Sequence, residues 1–122
     1  FALSHAVLGL ALFASGRSAE AETASREAIR LDPGLAPAHC NLGVVAYRTK
    51  HFTAAEASFR EAIRLDPSLA NGYRGLGDVL MKWNRHREAE EAYREAARVD
   101  PDSAGLNRFA ATMAKLTRWV AI

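Results

Sequence analysis

The sequence is poor in most of the features that give a small protein distinctive chemistry. It holds one cysteine, Cys40, so an intramolecular disulfide is excluded and the compartment is not legible from cysteine pairing. It has only four prolines, and 49% of its residues are apolar, which excludes a disordered or polyproline chain. No charge sign dominates. Sixteen basic residues face fourteen acidic ones, a net +2, too balanced to mark a nucleic-acid partner. No N-x-[ST] sequon occurs, and no glycine-rich phosphate loop follows a strand. Nor is there a Cys/His cluster with metal spacing or an isolated carboxylate pair. The one long apolar run, Phe1–Ala14, lacks a basic leader segment and is too short to span a bilayer, so neither secretion signal nor membrane insertion is expected. The first residue is Phe rather than Met, and the reading at this point is of a fragment, a processed product or an incompletely observed chain. The Ala- and Arg-rich composition leans to a soluble bacterial protein, cytoplasmic or periplasmic, with the compartment left open.

Three copies of one pattern are present. REAIRLDPGLA at 26–36 returns as REAIRLDPSLA at 60–70 and as REAARVDPDSA at 94–104, each 34 residues after the last. Pro33, Pro67 and Pro101 keep this spacing, as do Gly9, Gly43 and Gly77 behind Leu8, Leu42 and Leu76. Within a copy the apolar residues recur at helical intervals twice, as in Leu42, Val45 and Ala46 and then Ala55, Phe59, Ala62 and Ile63. Each copy therefore reads as two helices. Asp-Pro ends the second, because proline lacks an N–H and disfavours helical geometry before it. The turn between the two falls on Gly16, Lys50 and Asn84; glycine and asparagine tolerate a left-handed backbone, lysine less readily. Thr53 with Glu56 reads as a capping box for the second helix, and Ser18 as a partial one.

The pattern resembles the tetratricopeptide repeat family across nearly the whole chain. The small residues Gly9, Gly43 and Gly77, the alanines Ala21, Ala55 and Ala89, and the closing Ala28, Ala62 and Ala96 with their prolines carry the likeness. Departures are Ser25 where the other copies have Phe59 and Tyr93, Ala46 at a large aliphatic position, and His5 and His39 where the third copy has Tyr73. The fold class expected is an all-α, right-handed α-solenoid of three helix-turn-helix repeats plus a C-terminal helix. It forms one domain over 1–122, with repeats at about 2–35, 36–69 and 70–103, a helix at 104–118 and an apolar tail at 119–122.

The resemblance implies a concave groove lined by the first helix of each hairpin, and a protein or peptide held in it. By register the groove is expected to present Leu3, Val7, Leu10 and Phe13 at its apolar end, and the expected binding residues are Asn41, Val44, Tyr47, Arg48, Asn71, Arg74, Asp78, Lys82 and Arg108, with Cys40, Met81, Thr112 and Lys115 nearby. One half of the groove reads apolar and the other mainly basic, which suits a ligand with a hydrophobic end and an acidic end. The family's chaperone-tail clamp is not expected, since only Asn41 matches it. Asn41 is expected to bond a peptide backbone.

The apolar ends point to self-association through Leu3, Val7, Leu10 and Phe13 at the start and Trp119, Val120 and Ile122 at the finish. A non-closing contact of that kind gives a head-to-tail filament. Truncation within a longer repeat protein is weighed slightly above it, and the targeting region of a larger enzyme, such as a glycosyltransferase, is a further alternative. No enzyme activity of its own, no cofactor and no metal are expected, and no nucleic-acid partner. His51 and His86 are expected to be exposed near turns. The charged face formed by Glu88, Glu90, Glu91 and Glu95 with Arg87, Arg94 and Arg98 is expected to be solvated.

Overall fold

The computed structural model describes the backbone of residues 1–120 and the side chains of 1–102 and 111–119. Arg108 and Val120 are therefore outside the described side chains, and Ile122 outside the described residues altogether. Among the described residues all regular structure is helical: α1 (Ala2–Ala14), α2 (Ser18–Leu31), α3 (Ala36–Arg48), α4 (Phe52–Leu65), α5 (Ala70–Lys82), α6 (His86–Val99), a 3-10 turn (Pro101–Ser103) and α7 (Ala104–Val120).

Two junctions alternate, and local chemistry fixes each. Inside a hairpin the turn residue takes a positive φ: 78° at Gly16, 65° at Lys50 and 58° at Asn84. That lets two N–H groups return to the spent carbonyls of the first helix. Gly16, Lys50 and Asn84 donate to Phe13, Tyr47 and Met81, and the next residues, Arg17, His51 and Arg85, donate to Leu12, Ala46 and Leu80. The second helix starts at once after this double closure. Its N-caps are Arg17, His51 and Arg85, with no side-chain cap bond. Ser18 and Thr53 thus lie inside the helix, and the expected capping boxes do not form, because the cap position falls earlier, on Arg17 and His51. Between hairpins, Asp32 and Asp66 have extended backbones, and Asp100 leaves the helix at the same position with φ -133° and ψ 87°. Each carboxylate accepts a hydrogen bond from the N–H two residues on, at 3.0 Å from Gly34 and Ser68 and 3.1 Å from Asp102.

Small residues set the packing. A Cβ placed on Gly43 would stand 2.9 Å from the Phe59 ring, and one on Gly77 2.7 Å from the Tyr93 ring. The bare backbone of the first helix is the seat for the aromatic of the second. In the first hairpin, Ser25 takes the ring's place above Gly9, 2.9 Å from the same notional Cβ. The Phe59 ring is also wedged against Gly75 of the next repeat, where a Cβ would come within 2.2 Å. It therefore joins two repeats. The main core runs from Cys40 through Phe59, Leu76, Leu80 and Tyr93 to Ala111 and Ala114. A smaller cluster of Ala6, Ala28 and Ala38, with Ile29 and Leu35, attaches the first hairpin.

Helices α1 and α3, and α3 and α5, touch directly, whereas no comparable contact joins α2 to α4 or α4 to α6. The odd-numbered side is therefore the inner, shorter side of the curve. At the ends this stacking runs out of neighbours. Leu8 is 49% exposed while Leu76, its equivalent two repeats on, is 7% exposed under α4. Met113, Leu116 and Trp119 of α7 are likewise exposed. No described helix is long and apolar enough to cross a membrane.

Candidate functional site

The inner side holds an open cavity of about 610 Å³ walled by α1, α3 and α5. Its lining includes Leu10, Cys40, Asn41, Val44, Tyr47, Arg48, Asn71, Arg74 and Asp78, with the Phe59 edge and Gly75 at its floor. A second cavity of about 170 Å³ continues it toward the start of α1, lined by Leu3, Ala6, Val7, Leu10, Pro37, Cys40, Asn41, Leu69 and Asn71. Helical spacing explains why these residues converge. Leu10, Val44 and Asp78 occupy the same position in successive repeats, and Arg48 and Lys82 share the position four residues later. The groove is apolar along α1, mixed along α3 and charged along α5.

Two cations are laid over rings. The Arg48 guanidinium lies 5.7 Å from the Phe13 centroid, and the Lys82 ammonium 6.0 Å from that of Tyr47. The Tyr93 hydroxyl donates to Asp78 Oδ1 at 2.5 Å, from the far side of Gly77. Burial holds the Asp78 carboxyl above the usual carboxylate range, against the pull of that bond and of Arg74, Arg48 and Lys82. Burial also raises the Tyr47 and Tyr93 hydroxyls, and Asp78 reinforces the effect on both.

Leu3, Val7 and Leu10 line the groove cavities, on the face their register gives them, while Leu8 and Leu12 face outward with His5, Glu20, Thr23, Ala24 and Glu27 at the open end of the first hairpin. The apolar surround of α1 is thus two separate faces. Asn41 Nδ2 donates to the Ala6 carbonyl at 3.0 Å, so this amide also ties α3 to α1 while it lines the groove. Several other sequence expectations meet a different placement. Lys115 lies in a cleft with Arg87, Glu90, Glu91, Arg94 and Arg118 between α6 and α7. Glu90 is not solvated. It is 5% exposed under α7, 2.5 Å from Arg94 and 3.3 Å from Arg118. His86 is buried at the first turn of α6, whereas His51 is exposed and bonds Thr49 at 2.8 Å. Gly75, at the groove floor, was missed as a packing position, since its equivalents Val7 and Asn41 carry side chains and the period gives no signal there.

Burial pushes the Cys40 thiol up to about 11, which keeps it protonated and a poor nucleophile. Among the described residues no three His, Cys, Asp or Glu side chains converge as a metal site needs.

Two family models described as tetratricopeptide repeat match the sequence, one over residues 6–70 and one over 71–103. The chain belongs to the tetratricopeptide repeat family. Curated proteins give no match in sequence. Solved structures agree on the fold of this tetratricopeptide domain. The first tetratricopeptide domain of Spaghetti (RPAP3), bound to the HSP90 peptide SRMEEVD, is 24% identical, with a TM-score of 0.84 over 99% of this chain and 94% of that one. The first such domain of human RPAP3 is 21% identical, with a TM-score of 0.85 over 99% and 97%. At these identities the likeness is one of fold. The tetratricopeptide repeat is a protein-interaction fold.

Proposed function

We propose that this tetratricopeptide domain binds a peptide segment along its inner groove, with apolar side chains against α1 and acidic groups against α3 and α5. The observation that carries the reading is the polarity of two adjoining cavities. Leu3, Val7 and Leu10 line one end and Arg48 and Arg74 the other, with Lys82 beside them over Tyr47. Desolvated apolar contact supplies affinity, and the cations supply orientation. The acidic end of the peptide bound to the RPAP3 neighbour is consistent with this polarity, although the identity is too low to transfer its ligand.

Fluorescence anisotropy tests the reading with a labelled, capped heptapeptide, Leu-Phe-Leu-Ala-Glu-Asp-Glu, and its amide twin ending Gln-Asn-Gln. The acidic probe binds about tenfold more tightly, and Arg74→Glu or Arg48→Glu removes that preference, as expected for charges meeting at intermediate dielectric. Absence of binding by both probes, or equal binding unaffected by either substitution, overturns it.

A second reading is favoured by the bare ends. Leu8 at one end and Met113, Leu116 and Trp119 at the other give a stack two different apolar faces, the requirement for head-to-tail association into a filament. Light scattering and electron microscopy over rising concentration decide it. Compact monomers throughout refute it.

A further inference from the structure

The groove contains one residue that opposes its own polarity. At the position where the first two repeats present Leu10 and Val44, the third presents Asp78. Arg74 and Lys82, four residues to either side of it, lie on the same face of α5. Among the described residues, the charged and titratable groups facing Asp78 are these two, Arg48 and Tyr47 from α3, and Tyr93 from α6. The neighbouring α4 presents the uncharged Phe59 ring. On α7, Lys115 and Arg118 belong to the cleft with α6. Asp78 therefore sits where three cations would otherwise act together on an incoming anion. Tyr93 fixes it there through a bond that leaves the carboxylate little freedom to withdraw.

We propose that Asp78 is the specificity residue of this groove, a built-in occupant of the anion position that a ligand carboxylate seats beside only as Asp78 takes up a proton. The inference rests on the groove reading above. Its consequence is a filter: weakly acidic segments are turned away at neutral pH, and acid-rich ones are admitted with proton uptake. The raised carboxyl of Asp78 fits this role, since burial has already made its charged form costly. A ligand anion nearby raises it further. The bound state then holds more protons than the free state, so affinity for an acidic ligand increases as pH falls toward about 5, where the ligand's own carboxylates begin to protonate.

The test uses the same acidic heptapeptide and its amide twin with the whole chain, from pH 8 to pH 5, together with Asp78→Asn. Asparagine keeps the volume and offers Tyr93 an oxygen acceptor, and a circular dichroism melt checks that it folds. The wild type binds the acidic probe with rising affinity as pH falls, and calorimetry in two buffers of different ionisation enthalpy records proton uptake. Asp78→Asn binds that probe about tenfold more tightly at pH 7.5 and loses the pH slope, with no comparable gain for the amide twin, as expected from removing one like charge. If Asp78→Asn fails the melt, the wild-type pH slope and buffer dependence decide alone, and their absence overturns the inference. An acidic probe that binds the same in both proteins, or keeps its pH slope in Asp78→Asn, overturns the role of Asp78 while leaving the groove intact. Absence of binding by both peptides overturns the groove reading and this inference with it.

Discussion

Replacing Gly75 by alanine adds a single methyl group at a point where the structure has no room for it. The new Cβ would stand 2.2, 2.3 and 2.6 Å from three carbons of the Phe59 ring, against an ordinary contact of about 3.5–4.0 Å. The ring cannot retreat, because its other face lies against Gly43, where a Cβ would meet it at 2.9 Å. Phe59 is 1% exposed and has no solvent to swing into. The seam between the second and third repeats must open instead. Overpacking of this kind costs about 1–3 kcal/mol. For a chain of this length that lowers the thermal midpoint by roughly 4–15 °C. Urea unfolding followed by circular dichroism measures the free energy. Gly34→Ala is the control, since its Cβ would meet only Asp32 Oδ1 at 3.5 Å, and it should stay within about 0.5 kcal/mol of the parent. The decisive comparison is a double-mutant cycle with Phe59→Leu, whose shorter side chain makes room for the methyl. The two changes together should cost less than their sum by about 1 kcal/mol or more. Strict additivity, or a Gly75→Ala protein that melts like the parent, would refute the account of the seam as one ring clamped between two bare backbones.

Four further outcomes are expected. The Ser25 hydroxyl is buried without a hydrogen-bond partner, so Ser25→Ala should be neutral or stabilising by up to about 1 kcal/mol, and a loss larger than that in the same urea assay would show an unseen partner. Lys50 holds a left-handed backbone that glycine adopts freely, so Lys50→Gly should gain about 1 kcal/mol while Gly16→Ala loses a similar amount, read as midpoint shifts. With its thiol pushed up to about 11, Cys40 is ionised in only about one molecule per thousand at pH 8, so it should react with a disulfide reagent at least about a hundredfold more slowly than a free thiol, and fast labelling would count against its burial. Arg118→Ala leaves the buried Glu90 with Arg94 alone, so hydrogen exchange should quicken in α7 by about tenfold or more while the protection of α3 to α5 is unchanged.

Much of the architecture was open to reading because the period repeats its own evidence. The glycine at 9, 43 and 77 and the turn residues at 16, 50 and 84 each carried the same physical demand three times. The groove face of α3 and α5 followed from register in the same way: seven of the residues expected there line one cavity together. What stayed hidden was whatever broke the register. Gly75 packs as a glycine only because one ring reaches across from the preceding repeat. Glu90 belongs to a charged run and looked solvated, yet α7 lies over it, and no local pattern shows where a lone terminal helix will settle. The helix caps were misplaced, by one residue at Ser18 and two at Thr53, because the turn before them satisfies the backbone without their help.

The exchange of an aromatic for Ser25 makes the two ends of the stack unequal. Where the Phe59 ring rivets the second repeat to the third, the first is held to the second by Ala6, Ala28 and Ala38 with Ile29 and Leu35, the Arg48 guanidinium over Phe13 and the Asn41 amide on the Ala6 carbonyl. Of the described hairpins the first, without a wedged ring, is the one expected to open soonest, like a book losing its first pages before its spine gives way. A partner that grips the oily wall of α1 would then act as the missing binding, so that capture of a ligand and firmness of that end become one event.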